Sequence, residues 1–275
     1  KSVESKSMIC LMREVRFFHT SAWEAPDKSV SNHWAGTGLQ SCPPFWVVRV
    51  VVEGPADPHT GYVCDIKVLD DFVRTHLAPK LSAQSASASF DAAALVGKSA
   101  FGLLAGRMAE PLRLLSVQLR FSPFTFLTIQ GGDVPMTLLT QSFEFSASHR
   151  LLCPGLSDEE NHRLFGKCSN PHGHGHNYLL EVAIEIEPAA TSLSLHELDR
   201  IVRAEVIERF DHKNLNMECA EFADLNPTVE NIAQVIFDRL ARGLEPLHLS
   251  SVRVSETAKT YAECSSATTT KVHPR

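Results

Sequence analysis

The chain has 275 residues, 44% hydrophobic and 21% charged, which suits one large domain or two smaller ones with ordinary cores. A net charge of −6 and a pI near 6.1 argue against a nucleic-acid partner or a polybasic membrane patch, and no apolar run approaches the roughly 18 residues of a membrane span. Seven scattered cysteines do not form a disulfide pattern, so reduced thiols and a cytoplasmic setting are expected.

In chain order, KSVESKSMICLMREV lacks the long apolar stretch of a secretory signal; Met8 is a candidate start, with residues 1–7 an upstream extension. The first half then reads REVRFFHTSA (13–22), WVVRVVVEGPA (46–56), DIKVLDDFVRTHLA (65–78) and MAEPLRLLSVQLRFSPFTFLT (108–128). The Ser/Ala-rich SAQSASASFDAAA (82–94) reads as a surface loop.

The second half repeats this order weakly. QSFEFSASHR (141–150), YLLEVAIEIEP (178–188), SLHELDRIVRAEVI (194–207) and GLEPLHLSSVRVSETAKTYAE (243–263) fall on those four segments in turn, with Pro246 on Pro111, Val252 on Val117 and Tyr261 on Phe126. Two related domains, about 8–130 and 136–264, are expected, with SSATTTKVHPR a polar tail.

The second copy states its elements more clearly. In QSFEFSASHRL, Phe143, Phe145, Ala147 and His149 share one face, the period of a half-buried strand. In HGHNYLLEVAIEIE, His174, His176, Tyr178, Leu180, Val182, Ile184 and Ile186 do the same. Leu195, Leu198, Ile201, Val202 and Phe210 follow helical spacing. Pro227 is expected at the first position of a second helix with Ile232, Val235, Ile236 and Leu240 on its apolar face and Gly243 at its end. Two strands, SSVRVSE and KTYAECS, close the unit. The order ββααββ, twice, predicts an α+β fold in which each antiparallel four-stranded sheet carries two helices on its apolar face.

This alternation sends His149, His174 and His176 to one side. Strand residues two apart lie roughly 6–7 Å from each other on one face, and a third imidazole from the next strand completes a three-histidine floor that suits zinc with an open fourth position. Cys168 stands six residues before His174, and the neighbouring Lys167 and a nearby cation would favour its thiolate. Asp211 beside His212 is a candidate orienter of a proton-transferring histidine. Glu256 shares the apolar parity of Val252 and Val254 and needs a partner such as a ligand N–H. His162 and His172 read as loop residues, His172 a competing ligand if the strand extends to it, and the other six cysteines as incidental.

Taken together, FSASHR, LSDEENHRLFGKCSNPHGHGHNY, DHKNLN and PTVEN, from Phe143 to about Glu263, resemble the 6-pyruvoyltetrahydropterin synthase family, which includes the 6-carboxytetrahydropterin synthases of queuosine synthesis. The resemblance implies the T-fold for this half, a sheet-and-two-helix unit of which three close a barrel, and with the internal repeat two T-folds in tandem are expected. It implies zinc on His149, His174 and His176, a catalytic Cys168, a proton relay of Asp211 and His212, a pterin anchor at Glu256, and a pterin-pocket segment with Thr228 and Glu230. Val229 stands where the animal-type motif has threonine.

The gap between Cys168 and His174 is that of C-x5-H-G-H, which resembles the pyruvoyl type rather than the C-x3-H-G-H of the carboxy type. A pterin triphosphate substrate follows: 7,8-dihydroneopterin triphosphate converted to 6-pyruvoyltetrahydropterin. The alternatives are a 6-carboxytetrahydropterin synthase and a zinc- and pterin-binding protein without turnover. In the first copy Ser21, Cys42 and Pro44 stand in place of the histidines, Ser82 and Ala83 near the Asp-His step, and Phe121 in place of Glu256, so that copy is expected to lack metal and pterin. Because family members form sites between subunits, a homotrimer of two stacked barrels, one catalytic and one sterile, is expected.

Overall fold

The computed structural model describes residues 7–18, 45–83, 90–132, 135–187 and 195–266. Ser21, Cys42 and Pro44, residues 84–89 of the Ser/Ala-rich stretch and the tail beyond Ser266 lie outside the described residues. The chain divides into two compact units, Lys1–Leu139 with Glu187–Ala190, and Thr140–Ile186 with Thr191–Arg275. The division falls at Leu139/Thr140, inside a strand, rather than in the 131–135 connection.

In the first unit β1 (Ile9–Phe18), β2 (Phe45–Gly54), β3 (Arg113–Arg120) and β4 (Thr125–Gln130) are neighbours in that order, each pair antiparallel. Alternation sets which face is buried: Val48, Val50 and Val52 are fully buried, while Val47, Arg49 and Val51 between them are not. Asp65 caps α1 (Ile66–Phe72) by accepting from the Lys67 amide at 3.0 Å. A π-helical turn, Val73–Leu77, joins α1 to α2 (Ala78–Ser82). The next helix, α3 (Phe90–Ala105), begins inside the stretch expected to be loop.

The second unit contains β5 (Met136–His149) from Thr140 onward, β6 (His174–Glu185), β7 (Lys213–Asn214), β8 (His248–Thr257) and β9 (Thr260–Ser265). Its sheet order is β5-β6-β8-β9, with the short β7 parallel to β5. Its helices are α4 (Asp158–Phe165), α5 (Leu195–Val202), α6 (Glu208–Phe210), α7 (Leu215–Glu218) and α8 (Val229–Gly243). Leu180, Val182, Ile184, Leu198, Val206, Ile236 and Leu240 are fully buried between sheet and helices, each contributing roughly 1.5–3 kcal/mol of apolar burial. A π-helical turn follows α5 at Arg203–Ile207. Arg239 of α8 locks it, donating to the Glu205 carbonyl at 2.8 Å and to the Glu205 and Glu221 carboxylates at 2.6 and 2.8 Å.

The two units share their strand register. Val48 faces Leu119 and Val50 faces Val117 in the first; Leu180 faces Val254 and Val182 faces Val252 in the second. Each ladder then slips at the same place, between Val51 and Val52 and between Ala183 and Ile184. By this register Trp46 corresponds to Tyr178 and Phe121 to Glu256.

Candidate active site

The segment between β5 and β6 is built around a helix that apolar periodicity does not reveal. In α4 only Asn161 is buried. Ser157 and Glu160 form a capping box, the Ser157 hydroxyl accepting from the Glu160 amide and the Glu160 carboxylate accepting from the Ser157 amide. His162 is therefore helical rather than a loop residue. The Asn161 side chain accepts from the Cys153 amide at 2.8 Å and donates to the carbonyls of Cys153, Leu156 and Ser157. Gly166 ends α4 at φ 55, ψ −127, a conformation open essentially to glycine, and starts the 3-10 turn Gly166–Ser169 that carries Cys168. The Cys168 carbonyl accepts from the Leu151 amide at 2.8 Å, and the Arg150 guanidinium donates to the Ser169 carbonyl at 2.9 Å. The cysteine's backbone is thus tied to the end of β5.

His149 ends β5, and His174 and His176 begin β6. Their ligating atoms all lie within 4.8 Å of one another. Gly173, at φ 69, makes the approach possible: a Cβ there would stand 2.8 Å from the His149 carbonyl oxygen. His149 is 1% exposed, and its Nδ1 lies 2.6 Å from the Pro227 carbonyl. A carbonyl only accepts, so Nδ1 carries the proton and Nε2 presents its lone pair. That lone pair meets His174 Nε2 at 3.1 Å, while His174 Nδ1 is buried without a hydrogen-bond partner among the described residues. Burial, opposed by the Pro227 bond and helped by His174 and His176, lowers the His149 pKa to about 4; burial and His176 lower that of His174. Protons are disfavoured where nitrogens converge, which is the donor set a divalent cation fits.

Glu256 leans over this cluster, its Oε1 3.9 Å from His149 Nε2. Burial raises its pKa, His176 opposing and Glu230 adding. The fully buried Tyr178 lies beneath, edge-on to His149 and His176.

Asp211 and His212 stand apart from Cys168, with no hydrogen bond linking them to it among the described residues. Ser146 of β5 holds both: its amide donates to Asp211 Oδ1 at 2.7 Å and its carbonyl accepts from the His212 amide at 2.5 Å. The Ser146 bond is the chief cause that keeps the Asp211 carboxyl below its usual pKa, despite some burial, with His212 helping. Asp211 Oδ2 lies 2.9 Å from His212 Nδ1, and the imidazole is 82% exposed. It lines an open groove of about 510 Å³ with Ser146, Ser148, His176, Asn177 and Lys213.

The family profile described as 6-pyruvoyl tetrahydropterin synthase matches residues 138–267. The 6-pyruvoyl tetrahydrobiopterin synthase of Pongo abelii is 44% identical over 133 residues, 47% of this chain and 92% of that protein. Its Homo sapiens counterpart is 44% identical over 130 residues, 46% of this chain and 90% of that protein. This chain belongs to the 6-pyruvoyl tetrahydropterin synthase family. Its second unit is a lyase of that type. A solved structure of the Caenorhabditis elegans 6-pyruvoyl tetrahydropterin synthase covers 50% of this chain and 100% of its own at 32% identity, with a TM-score of 0.45.

One part of the synthase site differs from the sequence expectation. Pro227 is not the first helical residue. Thr228 is the N-cap of α8, its hydroxyl accepting from the Asn231 amide at 3.3 Å, and Pro227 sits before it with its carbonyl turned to His149. The Pro-Thr-x-x-Asn segment therefore serves the histidine first. Asn226 completes the clamp, its side chain accepting from the Leu152 amide and its carbonyl from Asn231. Glu230 is exposed on the first turn of α8 and close enough to act on Glu256. His172 is an exposed turn residue outside the three-histidine cluster.

The depressed His149 pKa fixes a pH dependence. The unfolded imidazole takes up its proton near 6.5 and the folded one only near 4. Stability carried by the neutral ring is therefore present above about pH 6.5 and lost as pH falls toward 4, at up to about 1.4 kcal/mol per pH unit. Urea unfolding of the metal-free chain at pH 7, 5.5 and 4.5 should show a steeper loss for wild type than for His149→Gln. Parallel losses would assign the pH sensitivity to other groups.

Proposed function

We propose that the second unit is a zinc-dependent lyase converting 7,8-dihydroneopterin triphosphate to 6-pyruvoyltetrahydropterin with release of triphosphate. The observation that carries this reading is the convergence of His149, His174 and His176 under Glu256 in a member of this family. The names of the relatives and the C-x5-H-G-H spacing of Cys168 and His174 favour the pyruvoyl product.

Zinc on the three imidazoles would supply a Lewis acid for the hydroxyls of the substrate side chain. Pro227 keeps His149 in the tautomer that can serve as ligand. Glu256 accepts the N–H donors of the pterin ring, which resolves its position on an apolar face. Thr228 and Glu230 border that pocket. The Cys168 thiolate takes the proton from the side-chain carbon, and His212, oriented by Asp211, carries protons during elimination and internal redox transfer. The leaving triphosphate is met by Lys167, Arg150 and Arg163; Arg150 is already anchored on Ser169.

Cys168 and the exposed Asp211–His212 pair are not joined within the chain, and the assembly we favour joins them between chains. Three second units would form one catalytic barrel. The first unit, with Phe121 where Glu256 stands and Trp46 where Tyr178 stands, reads as a T-fold copy without zinc or pterin, and three of them would form a sterile barrel stacked on the first.

Anaerobic incubation with dihydroneopterin triphosphate, read by mass, should give 6-pyruvoyltetrahydropterin; a 6-carboxy product or no turnover contradicts the reading. Cys168→Ala should retain zinc and pterin binding and lose most of kcat, and a kcat near wild type would move the base elsewhere. Elemental analysis should find about one zinc per chain and none in folded His174→Ala; full retention in that variant removes the assignment. Light scattering should return roughly three times the 30.3 kDa chain mass, and a stable active monomer overturns the trimer.

A further inference from the structure

From Asp211 onward the chain runs along the last residues of β5. Ser146 holds Asp211 and His212, and β7 then pairs in parallel, Lys213 opposite Ala147 and Asn214 opposite Ser148. The ladder would next set residue 216 opposite Arg150, but the backbone has left it. Asn214 caps α7, its side chain accepting from the Asn216 and Met217 amides. The Asn216 side chain supplies the missing rung. Its Oδ1 accepts from the Arg150 amide at 2.7 Å, and its Nδ2 donates to the Arg150 carbonyl at 2.9 Å. A carboxamide carries the acceptor and donor of a peptide group, so it stands in for a strand that is no longer there.

This rung lies past the end of β5 at His149, and α7 has its cap without it. What it fixes is Arg150. Holding the Arg150 peptide at both its amide and its carbonyl sets the direction in which the side chain leaves. That side chain donates through Nε to the Ser169 carbonyl at 2.9 Å. The next residue repeats the connection, the Leu151 amide donating to the Cys168 carbonyl at 2.8 Å. Ser169 is buried and its hydroxyl donates to the Gly166 carbonyl at 2.8 Å, so the turn that carries Cys168 is closed on itself and anchored as a piece.

We infer that Asn216 is a positioning residue for the Cys168 thiol and acts through Arg150. It holds the Arg150 peptide, and Arg150 and Leu151 hold the turn from which the thiol reaches the substrate's side-chain carbon. Removing a proton from carbon is sensitive to small displacements of the base. The inference rests on the lyase reading for the task of Cys168, while the coupling itself is measured without turnover.

Asn216→Ala removes both bonds; Asn216→Asp keeps the acceptor for the Arg150 amide and cannot donate to its carbonyl. The zinc-loaded full chain is measured for kcat and KM with dihydroneopterin triphosphate, for zinc content, and for hydrogen exchange read by mass. Asn216→Ala should lower kcat by about tenfold or more with KM within about twofold of wild type. It should keep full zinc and exchange several-fold faster over residues 166–172, with 178–185 unchanged. Asn216→Asp should fall between that variant and wild type. Arg150→Met should show the same faster exchange over 166–172, and adding Asn216→Ala to it should cost little more, because the two act in series. Unchanged kcat and exchange overturn the inference and leave the lyase reading standing. Loss of zinc, or faster exchange that spreads to 178–185, assigns Asn216 a general structural role and also overturns it. Additive losses in the double variant overturn action through Arg150. If Asn216→Ala does not fold, Asn216→Asp decides on the same criteria. A wild type that makes no product, with 166–172 loosened in the variant, removes the lyase reading and retains the coupling.

Discussion

The Pro227 carbonyl accepts the Nδ1 proton of His149 at 2.6 Å, and a buried imidazole with that nitrogen committed has only Nε2 left to offer. Much of the second unit follows from this bond. Pro227 must lie beyond β5, which requires α8 to be capped at Thr228 and the Asn226 and Asn231 side chains to hold the approach. Nε2 must find its neighbours on β6, which requires histidines at alternate positions of that strand and a glycine just before it, at Gly173, where the chain passes within contact of the His149 carbonyl. The desolvation that lowers the His149 pKa is the cost of this arrangement. A cation among the three nitrogens would offset it, so apo and metal-bound forms should differ in stability as well as chemistry.

The first unit shows the same frame without that cost. Its β2–β3 ladder has the register and the slip of β6–β8, and its buried valines occupy the positions of Leu180, Val182 and Ile184. At the strand end, where the second unit sets Glu256 against Tyr178 and the histidines, the first sets Phe121 edge-on to Trp46 at 5.2 Å. That pair carries no carboxylate and no imidazole, so it offers neither an anchor for ring N–H groups nor a metal ligand. The frame is held by apolar layers that tolerate exchange of their polar end, which is why sheet pattern outlasts site pattern along this chain.

What the sequence disclosed and what it hid divide along physical lines. Period-two alternation in QSFEFSASHR and HGHNYLLEVAIEIE puts one face in the core, and the structure has His149, His174 and His176 on that face because register leaves no other choice. Helix α4 stayed hidden because DEENHRLF buries only Asn161; its signal was the Ser157-x-x-Glu160 capping box. Pro227 was misplaced by two positions because Thr228 is the cap and Val229 the first helical residue, and its role is carried by a backbone carbonyl that no side-chain pattern announces. The π-helical turn after α5 is equally silent, as its extra residue leaves the apolar spacing of Leu198, Val202 and Val206 intact.

His212 is the remaining departure, and it ties backbone to chemistry. It is the one non-glycine residue at positive φ among the described residues, at 59°, a conformation that costs of order 1 kcal/mol for such a side chain. Packing does not explain it, since the imidazole is 82% exposed. The two bonds from Ser146 do: its amide holds the Asp211 carboxylate and its carbonyl holds the His212 amide, so the chain must turn between the two residues. The turn swings the imidazole back over its neighbour, with Nδ1 at 2.9 Å from Asp211 Oδ2, and leaves the rest of the ring outside the unit. An acid–histidine pair oriented at the cost of backbone strain and then exposed is arranged for a group that the unit itself does not provide.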